Sequence, residues 1–273
     1  MSLTQFTQIP SVRKKMKTYF PRPDINLKGE IKSAPISKSH PIIGTAIDYL
    51  IRFHLKYLFP KAKEKQWVSE NAVRIINSKE LNKYFNIAKR HYSRFIKSGI
   101  LSKDLIKSSI DLAKFDIIFR SGGMYFSNDF GKYKRKDIKE LTTILSNIDF
   151  QKLKIEKRCI LNPTFGRYSR LIGGADADLI IDNKLIDIKN TKKLSITREM
   201  LNQIIGYYFL GKIGKVKGVS NWSSIDEVGF YFSRYDQLYL FPIDELILRK
   251  KRLSFEKWFI KSIHKYNEAI NLM

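Results

Sequence analysis

The sequence predicts an α/β fold, a mixed β-sheet core with flanking helices plus a helical lobe. Three observations carry this. Residues 173–193 and 227–241 alternate apolar and polar side chains at period two around short turn sequences, the mark of paired strands. Between residues 41 and 150 the apolar residues instead recur at helical spacing. Finally, 43% hydrophobic residues with 13% aromatics in 273 residues suffice for a full core. The expected organisation is a basic N-terminal arm over 1–39, a mainly helical region over 40–150 whose first helix packs back on the sheet, and a sheet-bearing core over 151–273.

In the arm, Arg13-Lys14-Lys15 and Lys17 form a basic run, while Pro10, Pro21, Pro23 and Pro35 interrupt any regular element. It reads equally as a surface tail or a nucleic-acid contact. From Pro41 to Leu58 a helix is predicted: Ile43, Ala46, Ile47, Leu50, Ile51, His54 and Leu55 share a face and Pro60 stops it. His54 there is a packed core histidine. Further helices are expected over 80–96, over 101–119 with Ser102 as cap, and over 137–148 with Asp137 and Glu140 as a capping box. Cys159–Leu161 reads as a strand ending before Pro163, and residues 254–270 as a closing helix with Phe255, Trp258, Phe259 and Ile263 inward. The last strand pair turns at Arg234-Tyr235-Asp236-Gln237.

The first hairpin gathers the chemistry. In an antiparallel pair with a two-residue loop, the numbers of opposed residues sum to a constant. With Asn183-Lys184 as loop, Asp178 faces Lys189; with Asp182-Asn183, Asp178 faces Asp187 and Asp176 faces Lys189. Either register puts Asp176, Asp178, Asp187 and Lys189 on one face and Leu179, Ile181, Ile186 and Ile188 on the other. Clustered carboxylates repel unless a cation joins them, and hard oxygen ligands suit Mg²⁺ or Mn²⁺. A lysine beside such a metal orients a water or offsets developing charge. The alternative is an exposed hairpin whose polar face is simply solvated. Downstream, Leu201, Ile204, Ile205, Tyr208 and Phe209 form an apolar helical stripe, leaving Gln203 and Tyr207 together on its flank, with Ser195 or Thr197 as cap.

Lysine and arginine total 51 against 26 acids, a formal net charge of +25. That excess selects a polyanionic partner, nucleic acid before an anionic membrane surface. Basic clusters at 61–65, 132–136 and 249–252 together suit an electrostatic track for a strand. No apolar run reaches the roughly 18 residues that a membrane span needs. The single cysteine, Cys159, excludes an internal disulfide and a four-cysteine metal cluster within one chain, and an intracellular, cytoplasmic setting is expected. Arg167, Tyr168 and Arg170 read as a base-stacking and phosphate-holding patch or as an edge strand facing water. Lys192 and Lys193, just past the hairpin, are further candidate nucleic-acid contacts.

Asp178, followed by Asp187-Ile188-Lys189 on the next strand, resembles the PD-(D/E)xK nuclease signature, and Gln203-x-x-x-Tyr207 resembles the helix motif of RecB-type and Cas4-like nucleases. The likeness is specific over about residues 173–210. Gly44 to Asp48 resembles the Gly-x-x-x-His start of those families, with Asp48 where they carry a metal-holding histidine; Asp48 is either a metal ligand or a polar residue at the edge of a core helix. The resemblance implies a restriction-endonuclease-like core without the iron–sulfur cysteines of many Cas4-like nucleases. It also implies Mg²⁺- or Mn²⁺-dependent hydrolysis of DNA, as an exonuclease on single-stranded DNA or ends. In that scheme Asp178, Asp187 and the Ile188 carbonyl bind metal, Asp176 and Asp48 are additional ligands, Lys189 is the catalytic lysine, and Gln203 and Tyr207 orient it or the DNA. A restriction-type endonuclease and a non-cleaving nucleic-acid-binding protein on the same fold are the alternatives, and the oligomeric state stays open.

Overall fold

A computed structural model describes residues 2–23, 25–123, 129–247 and 249–271, excepting the side chains at 249, 270 and 271. The expected basic run at 249–252 therefore has Arg249's side chain outside the described residues. The helices are α1 (Leu3–Gln8), α2 (Pro10–Tyr19), α3 (His40–Leu58), α4 (Val68–Ile76), α5 (Lys79–Ser98), α6 (Lys103–Arg120), α7 (Arg135–Ser146), α8 (Arg167–Leu171), α9 (Arg198–Ile213), α10 (Ile243–Leu246) and α11 (Arg249–Asn271). The strands are β1 (Lys63–Glu64), β2 (Cys159–Leu161), β3 (Leu179–Ile181), β4 (Lys184–Lys189), β5 (Glu227–Phe232) and β6 (Gln237–Pro242).

The strands form one mixed sheet in the order β1-β2-β3-β4-β5-β6. β1 runs parallel to β2, β4 runs parallel to β5, and the other neighbours are antiparallel. The β4–β5 connection carries α9 across one face, as a parallel pair requires. Strand alternation then sorts the core. Cys159, Leu161, Leu179, Ile181, Ile186 and Tyr231 face a cluster built with α3, α5, α6 and α7. Ile160, Ile180, Leu185, Val228, Phe230 and Phe232 face a second cluster built with α1, α2, α9 and α11. The helical region over 40–150 is thus one layer on the sheet and shares its core, and β1 from within it extends the sheet edge.

Three expectations are corrected. Residues 2–20 are not an irregular arm. Ser2 accepts the Gln5 amide at the start of α1, and Pro10 opens α2, where its missing N–H costs nothing. Leu3, Phe6, Val12, Met16 and Phe20 are buried against α9 and α11. Each such side chain gains roughly 1.5–3 kcal/mol on leaving water, a gross figure before chain entropy. Gly206 admits α1, since a Cβ there would lie 3.0 Å from Leu3 Cδ1. Second, Asp137 and Glu140 do not cap α7, whose N-cap is Lys134. Both acids are buried, Asp137 accepting from Ser37 Oγ at 2.5 Å and Glu140 pairing with Arg234. Third, residues 167–171 are helical, not an edge strand. Elsewhere Ser102 caps α6, Thr197 caps α9, and His54 stacks on Phe150, as its packing role requires. Among the described residues no helix is long and apolar enough to cross a membrane.

Candidate active site

The β3–β4 register selects between the two pairings. Leu179 faces Ile186 and Ile181 faces Lys184, so the loop is Asp182-Asn183. Asp182 adopts φ +53°, the left-handed region that aspartate tolerates in tight turns. Its carboxylate accepts the amides of Glu156, Lys157 and Arg158, pinning the turn. The ladder ends at Leu179–Ile186; beyond it Asp176 bridges Thr164, and Asp178 reaches β4 through its carboxylate, which accepts the Ile188 amide. The hairpin is buried on both faces, with Ile180 and Leu185 under α9, so the acids emerge only at its open end.

Asp187 is 3% exposed. Burial raises its carboxyl above the usual range; Lys189 opposes this, while Asp48 and Asp176 add to it. Asp178 is pushed up further, by burial first and then by the Asp187 and Asp48 charges, against Lys189 and the Ile188 amide. That amide donates to Asp178 Oδ2 at 2.5 Å. Two carboxylates that crowd each other in a dry site disfavour shared ionisation.

Lys189 Nζ stands 2.5 Å from Asp187 Oδ2 and donates to Gln203 Oε1 at 2.9 Å. Gln203 Nε2 in turn donates to Tyr207 Oη at 3.1 Å. The i, i+4 spacing of Gln203 and Tyr207 puts both on the α9 face that looks back at β4. Tyr207 is buried and lies over Phe165; burial, then the charges of Asp176, Asp187 and Asp178, raise its hydroxyl well above the normal range. The structure therefore joins five of the expected residues: Asp178, Asp187, Lys189, Gln203 and Tyr207.

The two further acids are engaged by arginines. Asp48 takes both Nε and Nη2 of Arg52, at 3.1 and 2.5 Å, although its charge reaches Asp178 and Asp187. Asp176 Oδ2 accepts from Arg120 Nη2 at 3.1 Å. Sequence reasoning missed Arg120. It ends α6, and nothing in the chain's spacing links it to an acid 56 residues later. Lys65, which in the sequence is only one member of a basic cluster, donates to Thr164 Oγ1 at 2.6 Å. Burial lowers its pKa against the pull of Asp176. Lys65, Arg170, Phe119, Asn162 and Asp176 line a cleft of about 490 Å³ beside the acids.

Of the expected nucleic-acid contacts, Arg170 faces this cleft and Arg167, Lys192 and Lys193 are exposed. Tyr168 is corrected: at 4% exposure it packs in the core with its ring against His264, out of reach of a stacking base.

Among the described residues no three His, Cys, Asp or Glu side chains stand together as a metal cluster. The donors that do fit a hard cation are Asp178 and Asp187. Asp187 Oδ2 is buried and has no aligned hydrogen-bond donor despite its closeness to Lys189 Nζ, so a lone pair is left over in a crowded anionic site.

No family model matches the chain, and no solved structure matches it significantly. A partial similarity exists to the tRNA uridine 5-carboxymethylaminomethyl modification enzyme MnmG of Prochlorococcus marinus subsp. pastoris (strain CCMP1986 / NIES-2087 / MED4), 31% identical over 131 residues. That covers 45% of this chain and 20% of the enzyme, so the chain spans about a fifth of its relative's length.

Proposed function

We propose that this protein is a metal-dependent nuclease that hydrolyses phosphodiester bonds in DNA, on a restriction-endonuclease-like core. The observation that supports this most is the contact chain Asp187–Lys189–Gln203–Tyr207 beside Asp178. It assembles the residues of the PD-(D/E)xK and Gln-x-x-x-Tyr resemblances around one point. Asp178, Asp187 and the Ile188 carbonyl would hold Mg²⁺ or Mn²⁺, which supplies a water of lowered pKa and draws charge from the phosphate. Lys189, tied on one side to Asp187 and on the other to Gln203, keeps its ammonium aimed where negative charge develops on the phosphoryl oxygens. Gln203 spends its carbonyl on Lys189 and its amide on Tyr207, so the lysine has one resting orientation. Arg120, Lys65 and Arg170 surround Asp176 and offer cations to flanking phosphates. The exonucleolytic preference for single-stranded DNA or ends rests on the resemblance alone.

A second reading is a nucleic-acid-binding protein that does not cut. It is favoured by Asp48 and Asp176 being held by Arg52 and Arg120, which leaves two acids for a metal.

The test is cleavage of end-labelled single- and double-stranded DNA with Mg²⁺, Mn²⁺ or EDTA, comparing the wild type with Lys189→Ala and Asp187→Ala. A transfer RNA belongs among the substrates because of the partial similarity to a tRNA-modifying enzyme. Metal-dependent products absent from both variants support the nuclease; salt-sensitive binding with no product under any metal selects the second reading.

A further inference from the structure

A second cationic site lies away from the acids. A cleft of about 740 Å³ is lined by Gln8, Arg13, Lys14, Lys17, Arg22 and Arg198, with Pro10 and Pro21 at its margins. It exists because residues 2–20 are helical. In α2, Pro10, Arg13, Lys14 and Lys17 fall at i, i+3, i+4 and i+7, one face, while Val12 and Met16 on the other face are buried. The N-terminus of α9, with Arg198 as its first residue, closes the far wall.

The lining is rich in donors and holds no carboxylate. Among the described residues that form it, five are cationic and none is acidic. Gln8 Nε2 and Arg198 Nε and Nη2 are buried and have no hydrogen-bond partner. Arg198 spends only Nη1, on the Phe20 carbonyl at 2.6 Å. Glu199 reaches Arg13 at 3.2 Å, offsetting one charge of the five. Lys14 and Lys17 are exposed and have no carboxylate partner among the described residues. Burial and the Arg13 charge both lower the pKa of Arg198, as expected of a guanidinium desolvated among like charges. Unsatisfied donors in a like-charged cleft are stabilised by an anion of several acceptor oxygens.

We propose that this cleft binds a phosphate of a nucleic-acid strand, as a site separate from the acidic hairpin. Lys14, Lys17 and Arg22 meet the phosphate oxygens at the rim, and the Arg198 guanidinium, closed beneath the cleft surface, adds its charge from below. Gln203, which holds Lys189, lies five residues after Arg198 on the same helix, about 7.5 Å along its axis. The phosphate is either the strand's terminal group or an internal phosphodiester.

Binding needs no cleavage, so its test and that of the proposed hydrolysis fail independently. The probe is fluorescein-labelled oligodeoxythymidine with a 5′-phosphate or a 5′-hydroxyl, titrated in EDTA at several salt concentrations. The proteins are the wild type, Lys14→Ala with Lys17→Ala, Arg198→Gln, and a control pair, Lys83→Ala with Lys97→Ala, both exposed on α5. The cleft pair and Arg198→Gln weaken binding about 5- to 20-fold and flatten the log–log salt slope by about 0.7 for each phosphate no longer neutralised. The control, with the same loss of charge, changes affinity less than about twofold. A 5′-phosphate preference that disappears in the cleft variants assigns the terminal group; equal binding of both probes, weakened alike, assigns internal phosphates. Cleft variants that melt like the wild type and bind like the control overturn the proposal. If Arg198→Gln fails to fold, the exposed lysine pair decides.

Discussion

Gln203 accepts a hydrogen bond from Lys189 Nζ at 2.9 Å, tying the last residue of β4 to the second turn of α9. The lysine's other neighbour, Asp187 Oδ2, lies 2.5 Å away. Its four-carbon stem would otherwise leave the ammonium free among many rotamers. Gln203→Ala should therefore lower the rate of the proposed cleavage about 10-fold while costing about 1–3 kcal/mol of stability, because it removes two partly buried hydrogen bonds, to Lys189 and to Tyr207. Lys189→Met should lower the rate by about 10²–10³-fold, the range for removing one preorganised charge donor. Initial rates with Mg²⁺ check both. Wild-type rates in Gln203→Ala would remove its positioning role.

Asp178 and Asp187 carry a cost that the proposed divalent cation would relieve. Both carboxyls are raised by burial and by neighbouring acids, so ionising them at neutral pH destabilises the folded state. Asp178→Asn keeps an oxygen to accept the Ile188 amide and removes one charge. In EDTA this variant should melt a few degrees above wild type. Divalent metal at about 100 times its dissociation constant should stabilise the wild type by about 2.7 kcal/mol, and should do little for Asp178→Asn. Melting curves with and without Mn²⁺ check this; a variant that melts lower in EDTA and still responds to metal contradicts it.

Asp116 gives a pH-dependent signal apart from those acids. It is 2% exposed, accepts from Tyr49 Oη at 2.7 Å, and burial raises its pKa to about 7 against the Arg120 charge. With a folded pKa above the unfolded value of about 3.9, the folded state holds the proton more tightly, so this residue lowers stability as pH rises from about 4 to about 7, by about 1.4 kcal/mol per unit at most. Above that window the penalty is complete. Asp116→Asn keeps an acceptor for Tyr49 and drops the charge. Its stability advantage over wild type should be about 1.5 kcal/mol at about pH 5 and grow to about 4 kcal/mol at about pH 8. Denaturant melts at the two pH values check this, and a constant difference contradicts it.

The sheet pairs, the α9 stripe and the acid–lysine face were legible because they rest on local periodicity and turn chemistry. Asp182 and Asn183 form the turn, and period two then fixes which side of the hairpin each residue takes. What escaped depends on long-range packing. Pro10 reads as a breaker until α2 is seen to start on it, and the short α1 has its apolar residues completed only by α9 and α11. Arg120 and Arg52 neutralise Asp176 and Asp48 through the approach of α6 to the hairpin and through an i, i+4 pair. Asp137 and Glu140 fit a capping box by spacing, yet a buried tertiary partner outweighs a cap worth about 1 kcal/mol.

That partner carries the last prediction. Arg234, 1% exposed in the β5–β6 turn, places Nη2 2.5 Å from Glu140 Oε1 and donates to the Ser33 and Asn190 carbonyls. Glu140 Oε2 takes the Ile36 and Ser37 amides at 2.7 and 2.6 Å. One ion pair thus joins the segment before α3, α7, the end of β4 and the last hairpin. Burial works against the Glu140 charge, but Arg234 and the two amides hold its carboxyl below the usual range. A depressed folded pKa contributes stability above the unfolded value of about 4.3 and loses it as pH falls through the folded pKa. Arg234→Met leaves that carboxylate buried without its cation and should cost about 3–5 kcal/mol at neutral pH, a fall in melting temperature on the order of 10 °C. With the cation gone, burial dominates at Glu140 and raises its pKa, so the variant's deficit should shrink on acidification. Adding Glu140→Leu to Arg234→Met should recover only part of the loss, because the Ile36 and Ser37 amides then lose their acceptor. Melting of the single and double variants at neutral and acid pH measures this coupling. A single variant as stable as wild type would mean that the pair holds nothing together.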